Sequence, residues 1–147
     1  MASIDENLVS ALSSVMRSLE RPIAKHIAVE GITPSQFTVL EMLFHKGPQT
    51  VNQLINGLLS TSGNIGVVID NLISAGWLAK MPNPADGRSR IIQLTESGRQ
   101  KISGYYPRHK IELTRLLGGM PAVEKKQLIK QLATLRRSLE GGINEQN

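Results

Sequence analysis

The chain has no cysteine among its 147 residues. That removes disulfides, thiolate metal sites and thiol-based redox sensing together. It also lacks any run of about 18 apolar residues, and its opening segment, MASIDENLVSALSSVMRSLERP, has no basic stretch followed by a long apolar one. Neither a membrane span nor a secretory leader is therefore expected, and a soluble cytoplasmic protein with no membrane partner is the default. Catalytic signatures are missing too: there is no phosphate loop, no nucleophile elbow and no HExxH zinc motif, and the acids are scattered over predicted helix surfaces. His26, His45 and His109 are single and widely spaced, with no pair at ligand spacing. An enzyme, a cofactor and a metal centre are not expected.

What the chain does have is a formal net charge of +5, which favours polyanionic partners. Its length suits one domain, residues 1–147, with a single core. Ile4, Leu8, Leu12, Val15, Met16, Leu19 and Ile23 recur three or four apart, predicting a helix over 4–29 that Pro22 kinks or interrupts. Thr33-Pro34 signals a second helix with Phe37, Leu40, Leu43 and Phe44 on one face, ended by Gly47-Pro48. A shorter helix follows, with Thr50 as N-cap and Val51, Leu54, Ile55 and Leu58 inward. A third starts near Ser60 and stops at Gly76. Three short helices so closely spaced have helix-turn-helix spacing.

The period then changes. Trp77-Leu78-Ala79-Lys80-Met81, a turn-rich Pro82–Gly87 and Ile91-Ile92-Gln93-Leu94 read as a hairpin, a wing on the helical core. Helical pattern resumes at Thr95 with Ile102, Tyr105, Tyr106, His109, Leu113, Leu116 and Leu117 on one side, bent or split at Pro107, and closes at Gly118-Gly119. A last helix begins at Pro121, carries Leu128, Leu132, Leu135 and Leu139 as its stripe, and frays after Glu140. The predicted class is mainly α with a small β-hairpin wing. Residues 33–101 form a winged helix-turn-helix, and 1–30 with 102–141 form a helical dimerisation region, since the apolar stripes of the terminal helices call for a second copy.

A recognition helix fits the major groove while its predecessor braces it. Ser60, Thr61, Ser62 and Asn64 stand at the expected start of that helix and are short hydrogen-bonding residues suited to base edges or phosphates. The same cluster also reads as a plain cap and turn. On the wing, Arg88 suits insertion into a narrow minor groove and Arg90 a phosphate or groove contact. Asp86 is placed to hold the Arg88 guanidinium in a bidentate pair, and Gly87 to supply any positive backbone angle the turn demands. Met16, Leu19, Met42 and His45, with Tyr105-Tyr106, are candidates for an apolar effector pocket and equally for ordinary helix and core positions.

The run LLSTSGNIGVVIDNLISAGWLAKMPNPADGRSRIIQLTESG resembles the recognition helix and wing of the MarR family of winged helix-turn-helix regulators. The resemblance rests on Ser62-Gly63-Asn64-Ile65, on Asp70 with Leu72 and Gly76, on Asp86-Gly87-Arg88, and on Leu94-Thr95-Glu96-Ser97-Gly98. It implies a homodimer on double-stranded DNA at a pseudo-palindromic operator, most often a repressor released by a small, often phenolic, effector. It also places Thr61, Ser62 and Asn64 in the major groove and Arg88 on the wing; Thr50, Ser60, Val67 and Arg90 complete the expected DNA-binding set. Gly66 and Val67 depart from the family, which favours Thr and a polar residue at these positions, leaving the second turn with fewer donors. The competing expectation is a winged-helix interaction module whose basic surface binds protein or RNA without an operator.

Overall fold

The computed structural model describes residues 1–58 and 64–144. Its elements run α1 (Ile4–Ala28), α2 (Pro34–Lys46), β1 (Gln49–Thr50), α3 (Val51–Gly57), α4 (Ile65–Ser74), β2 (Leu78–Pro82), β3 (Arg90–Leu94), α5 (Glu96–Leu116) and α6 (Ala122–Asn144). The three strands form one antiparallel sheet in the order β1-β3-β2. The hairpin registers Leu78 on Leu94 and Pro82 on Arg90, and Thr50 of β1 pairs with Ile91. Predicted class and observed architecture agree. The chain separates into two compact units, Met1–Glu112 and one beginning at Leu113.

Helix starts follow local chemistry. Ser3, Thr33 and Thr50 each accept the N–H of the third residue on, and the Glu6, Gln36 and Gln53 side chains return the bond to the cap N–H. These reciprocal boxes satisfy donors that would otherwise be orphaned. The end of α4 is equally specified: Gly76, at φ +78°, donates to the Ile73 carbonyl while Trp77 donates to that of Leu72, a closure that a left-handed residue makes possible.

The core of the first unit gathers Val39, Leu40, Leu54, Leu72 and Ile92, all fully buried, with Ile27, Phe37, Leu43, Ile69, Leu78 and Ile102 around them. Every phenylalanine, tyrosine and histidine of the chain joins one ring network across α1, α2 and α5. His26, Tyr105, His109 and Phe37 lie at its inner end and Tyr106, His45 and Phe44 at its outer end. Beside it, Glu30 just past α1 takes Arg108 at 2.6 Å and Lys101 at 3.8 Å, and Lys101 reaches over the Trp77 ring at 5.3 Å.

Several expectations are corrected. Neither Pro22 nor Pro107 divides its helix; burial of Ile27 after the first and of Tyr105 and His109 on both sides of the second holds each segment helical. α4 begins at Ile65 rather than near Ser60, because Asn64 takes a non-helical φ, ψ of −148°, 56° and caps the helix itself. α6 continues to Asn144 instead of fraying after Glu140. Ile55 faces outward, 48% exposed, and Leu117 is exposed as well. β1 has no signal in the sequence, since two residues carry no period.

Candidate nucleic-acid interface

Where the wing meets the start of α3, Thr50, Val51, Asn52, Lys80, Arg88, Ser89 and Arg90 line a groove of about 250 Å³. The register explains the gathering. Thr50 leads from β1 directly into α3, β1 pairs with β3, and Lys80 on β2 lies across from Ile92 in the same sheet. The sheet thereby brings three cations and the start of a helix to one concave surface. Thr50 keeps its predicted place, with its oxygen engaged in capping through the Gln53 N–H at 3.2 Å. Lys80 and Asn52 were absent from the expected set. Alternation along β2 carried the signal for Lys80, but the contribution of Asn52 depends on a pairing that only the folded sheet reveals.

The wing tip is held differently from expectation. Asp86 Oδ1 accepts the backbone N–H of Arg88 at 2.9 Å in place of the expected bidentate pair with its guanidinium, because the short carboxylate reaches the amide two residues on first. The arginine head stays available to a ligand. Gly87 does not take a positive φ; only Gly31, Gly47 and Gly76 do among the described residues. Two Asx turns and a cross-loop bond shape the tip instead: Asn83 Oδ1 accepts the Ala85 N–H at 3.0 Å, and Asn83 Nδ2 donates to Ser89 Oγ at 2.7 Å.

On α4, Ile65, Ile69 and Leu72 point into the core, leaving Asn64, Val67, Asp70, Asn71 and Ser74 outward. Asn64 Oδ1 accepts the Val67 N–H at 3.4 Å, so the cap engages the oxygen that a bidentate pair with adenine would also need. Ser60, Thr61 and Ser62 lie outside the described residues. Asp70 pairs with Lys80 at 3.8 Å, both well exposed. This contact joins the outward face of α4 to the cationic groove.

The effector candidates differ in burial. Met42 belongs to the core, its methyl filling the space beside Gly57. Met16 is exposed on α1, Leu19 half-buried, and His45 exposed with its ring edge-on to Phe44 and Tyr106. Among the described residues no group of three or more His, Cys, Asp or Glu could hold a metal ion, and no helix is long and apolar enough to cross a membrane.

A braced outward helix, a three-stranded sheet and a cationic hairpin define a winged helix-turn-helix. The MarR family model matches residues 32–89, which contain the three helices and most of the wing. YkoM of Bacillus subtilis strain 168, an uncharacterized HTH-type transcriptional regulator, is 33% identical over 84% of this chain and 80% of its own length. The chain belongs to the MarR family of DNA-binding transcriptional regulators. Its fold matches that of a mutant MarR from E. coli complexed with operator DNA, at a TM-score of 0.76 and 22% identity over 91% of this chain and 99% of that one. It also matches BpsR of Bordetella bronchiseptica, solved to explain how 6-hydroxynicotinic acid regulates its DNA binding, at 0.79 and 20% over 92% and 97%.

Proposed function

We propose that the chain acts as a homodimeric repressor that binds a pseudo-palindromic DNA operator and leaves it when a small apolar or aromatic molecule binds. The groove shared by Lys80, Arg88, Arg90, Thr50 and Asn52, next to the outward face of α4, carries this proposal. It offers cations and hydrogen-bonding groups to a phosphate backbone while α4 faces base edges. The operator complex of the E. coli relative and the ligand-controlled DNA binding of the Bordetella relative support it by similarity of fold. For the dimer, α1 exposes Ile4, Leu8, Val15 and Met16, and α6 exposes Leu128, Leu132 and Leu139. A second copy would cover such faces. Release would follow if ligand favours a spacing of the two α4 helices that no longer fits successive major grooves, roughly 34–36 Å apart. Met16, Leu19, Met42 and His45 remain the proposed ligand contacts, and the cytoplasm the proposed site of action.

The test is fluorescence anisotropy on a duplex enriched by selection against a random duplex of equal length, across a salt series. The enriched duplex should bind at least about a thousandfold more tightly, and the salt slope should count the phosphate contacts. Arg88→Ala should weaken binding by about 1–3 kcal/mol without moving the thermal midpoint. Equal, steeply salt-dependent affinity for both duplexes would leave a basic interaction module in place of an operator-reading protein.

A further inference from the structure

α4, IGVVIDNLIS, contains no lysine or arginine, and its single charge is Asp70. Its outward face therefore attracts DNA little by itself and must discriminate by shape and hydrogen bonding. Within that face Val67 is 48% exposed, a branched apolar side chain among Asn64, Asp70, Asn71 and Ser74. The position beside it is Gly66, where, among the described residues, an added Cβ would have only Asn64 Oδ1 within 4 Å, at 3.8 Å. The valine therefore has a neighbour in the chain that carries no side chain.

What the spot can receive follows from its surroundings. One turn along, Asp70 touches Lys80 at 3.8 Å, and Lys80 lines the groove with Arg88 and Arg90. A single apolar side chain, among the described residues, on a polar face with a cationic border does not suit the large apolar surface of a protein partner. It suits a polyanion that presents one small apolar group among polar edges. In duplex DNA the major groove offers such a group, the C5 methyl of thymine.

We propose that Val67, exposed beside Gly66, is a specificity-determining residue that packs on a thymine C5 methyl in the major groove. The assignment rests on the reading of α4 as the helix that enters that groove. It is separable from that reading, because DNA binding can persist with no methyl contact at position 67.

The experiment uses the full chain and a duplex enriched by selection from a random library. Each thymine is replaced in turn by deoxyuridine, which deletes the methyl and leaves the hydrogen-bonding edge unchanged. At one thymine per half-site the wild-type protein should lose about fourfold in affinity, the equivalent of about 0.8 kcal/mol for one buried methylene. Val67→Ala should lose a similar factor on the thymine duplex and become indifferent to deoxyuridine at that position alone. Val67 is half exposed, so its thermal midpoint should hold. If deoxyuridine leaves wild-type binding unchanged at every position, or weakens wild type and Val67→Ala equally, the methyl contact is wrong and operator binding stands. If no sequence is enriched, the groove-reading role of α4 falls and the methyl contact with it.

Discussion

Gly98 sits against backbone. A Cβ there would stand 2.0 Å from the Trp77 carbonyl oxygen and 2.8 Å from its carbon, at the point where the Thr95 hydroxyl donates to the Gly76 carbonyl at 2.6 Å and accepts the Gly98 N–H at 3.0 Å. Neither partner is a flexible side chain that can turn aside. Gly98→Ala should cost about 1–3 kcal/mol, read as a lower urea midpoint, because α5 must shift away from the end of α4. Gly57 is the contrast: its close neighbour is the tip of Met42, which can rotate. Sequence marks Gly98 as part of a motif without supplying the reason, since the reason is the carbonyl of Trp77, far back along the chain. At Gly87 and Asp86 it supplies reasons that the structure replaces.

The wing is an element whose tip depends on one side chain. Asn83 closes its own turn and spans the loop to Ser89, and Arg88 and Arg90 flank that residue. Asn83→Ala should weaken operator affinity by about 1 kcal/mol, the net worth of such a bond, and leave the thermal midpoint nearly unchanged, as the loop lies outside the core. Equal affinity for variant and wild type would mean that the tip holds its shape without the bond. Most elements are legible because their signals are local: capping residues at Thr33 and Thr50, apolar spacing along α1 and α2, and Gly76 as a stop. Expectation and structure part where distant packing decides. Burial overrides the proline penalty at Pro22 and Pro107, and β1 exists only because Ile91 and Ile92 lie opposite it. The candidate site is half legible for the same reason. Its arginines stand out on a turn, whereas Lys80 and Asn52 join them through strand pairing.

For the molecule as a whole, the junction of α1, α2 and α5 sets a pH response. His109 is 5% exposed; burial, and then the adjacent His26, push its imidazole below the usual 6.5. Around the cluster stand Glu30 and His26 from α1 and its end, Glu41 from α2, and Tyr105, Arg108 and Glu112 from α5. The unfolded chain takes up a proton at His109 more readily than the native one, so its contribution is complete above pH 6.5 and is lost as the pH falls below that value. Glu41, raised by burial, acts in the opposite sense from pH 4.5 upward, so the comparison with His109→Gln isolates the imidazole. Thermal midpoints of wild type should fall more steeply from pH 7 to about 5 than those of His109→Gln. Parallel curves would mean that the His109 imidazole does not carry the acid sensitivity. Tyr105, pushed up to about 12 chiefly by burial, stays neutral throughout.

The indole of Trp77 has a further use. It is the only tryptophan in the chain, half-buried at the end of α4, with the Lys101 ammonium over its ring and Gly98 against its carbonyl. Excited selectively near its long-wavelength absorption edge, it provides a label-free optical gauge at the seam between α4, the wing and α5, with no other fluorophore of its kind to mask it.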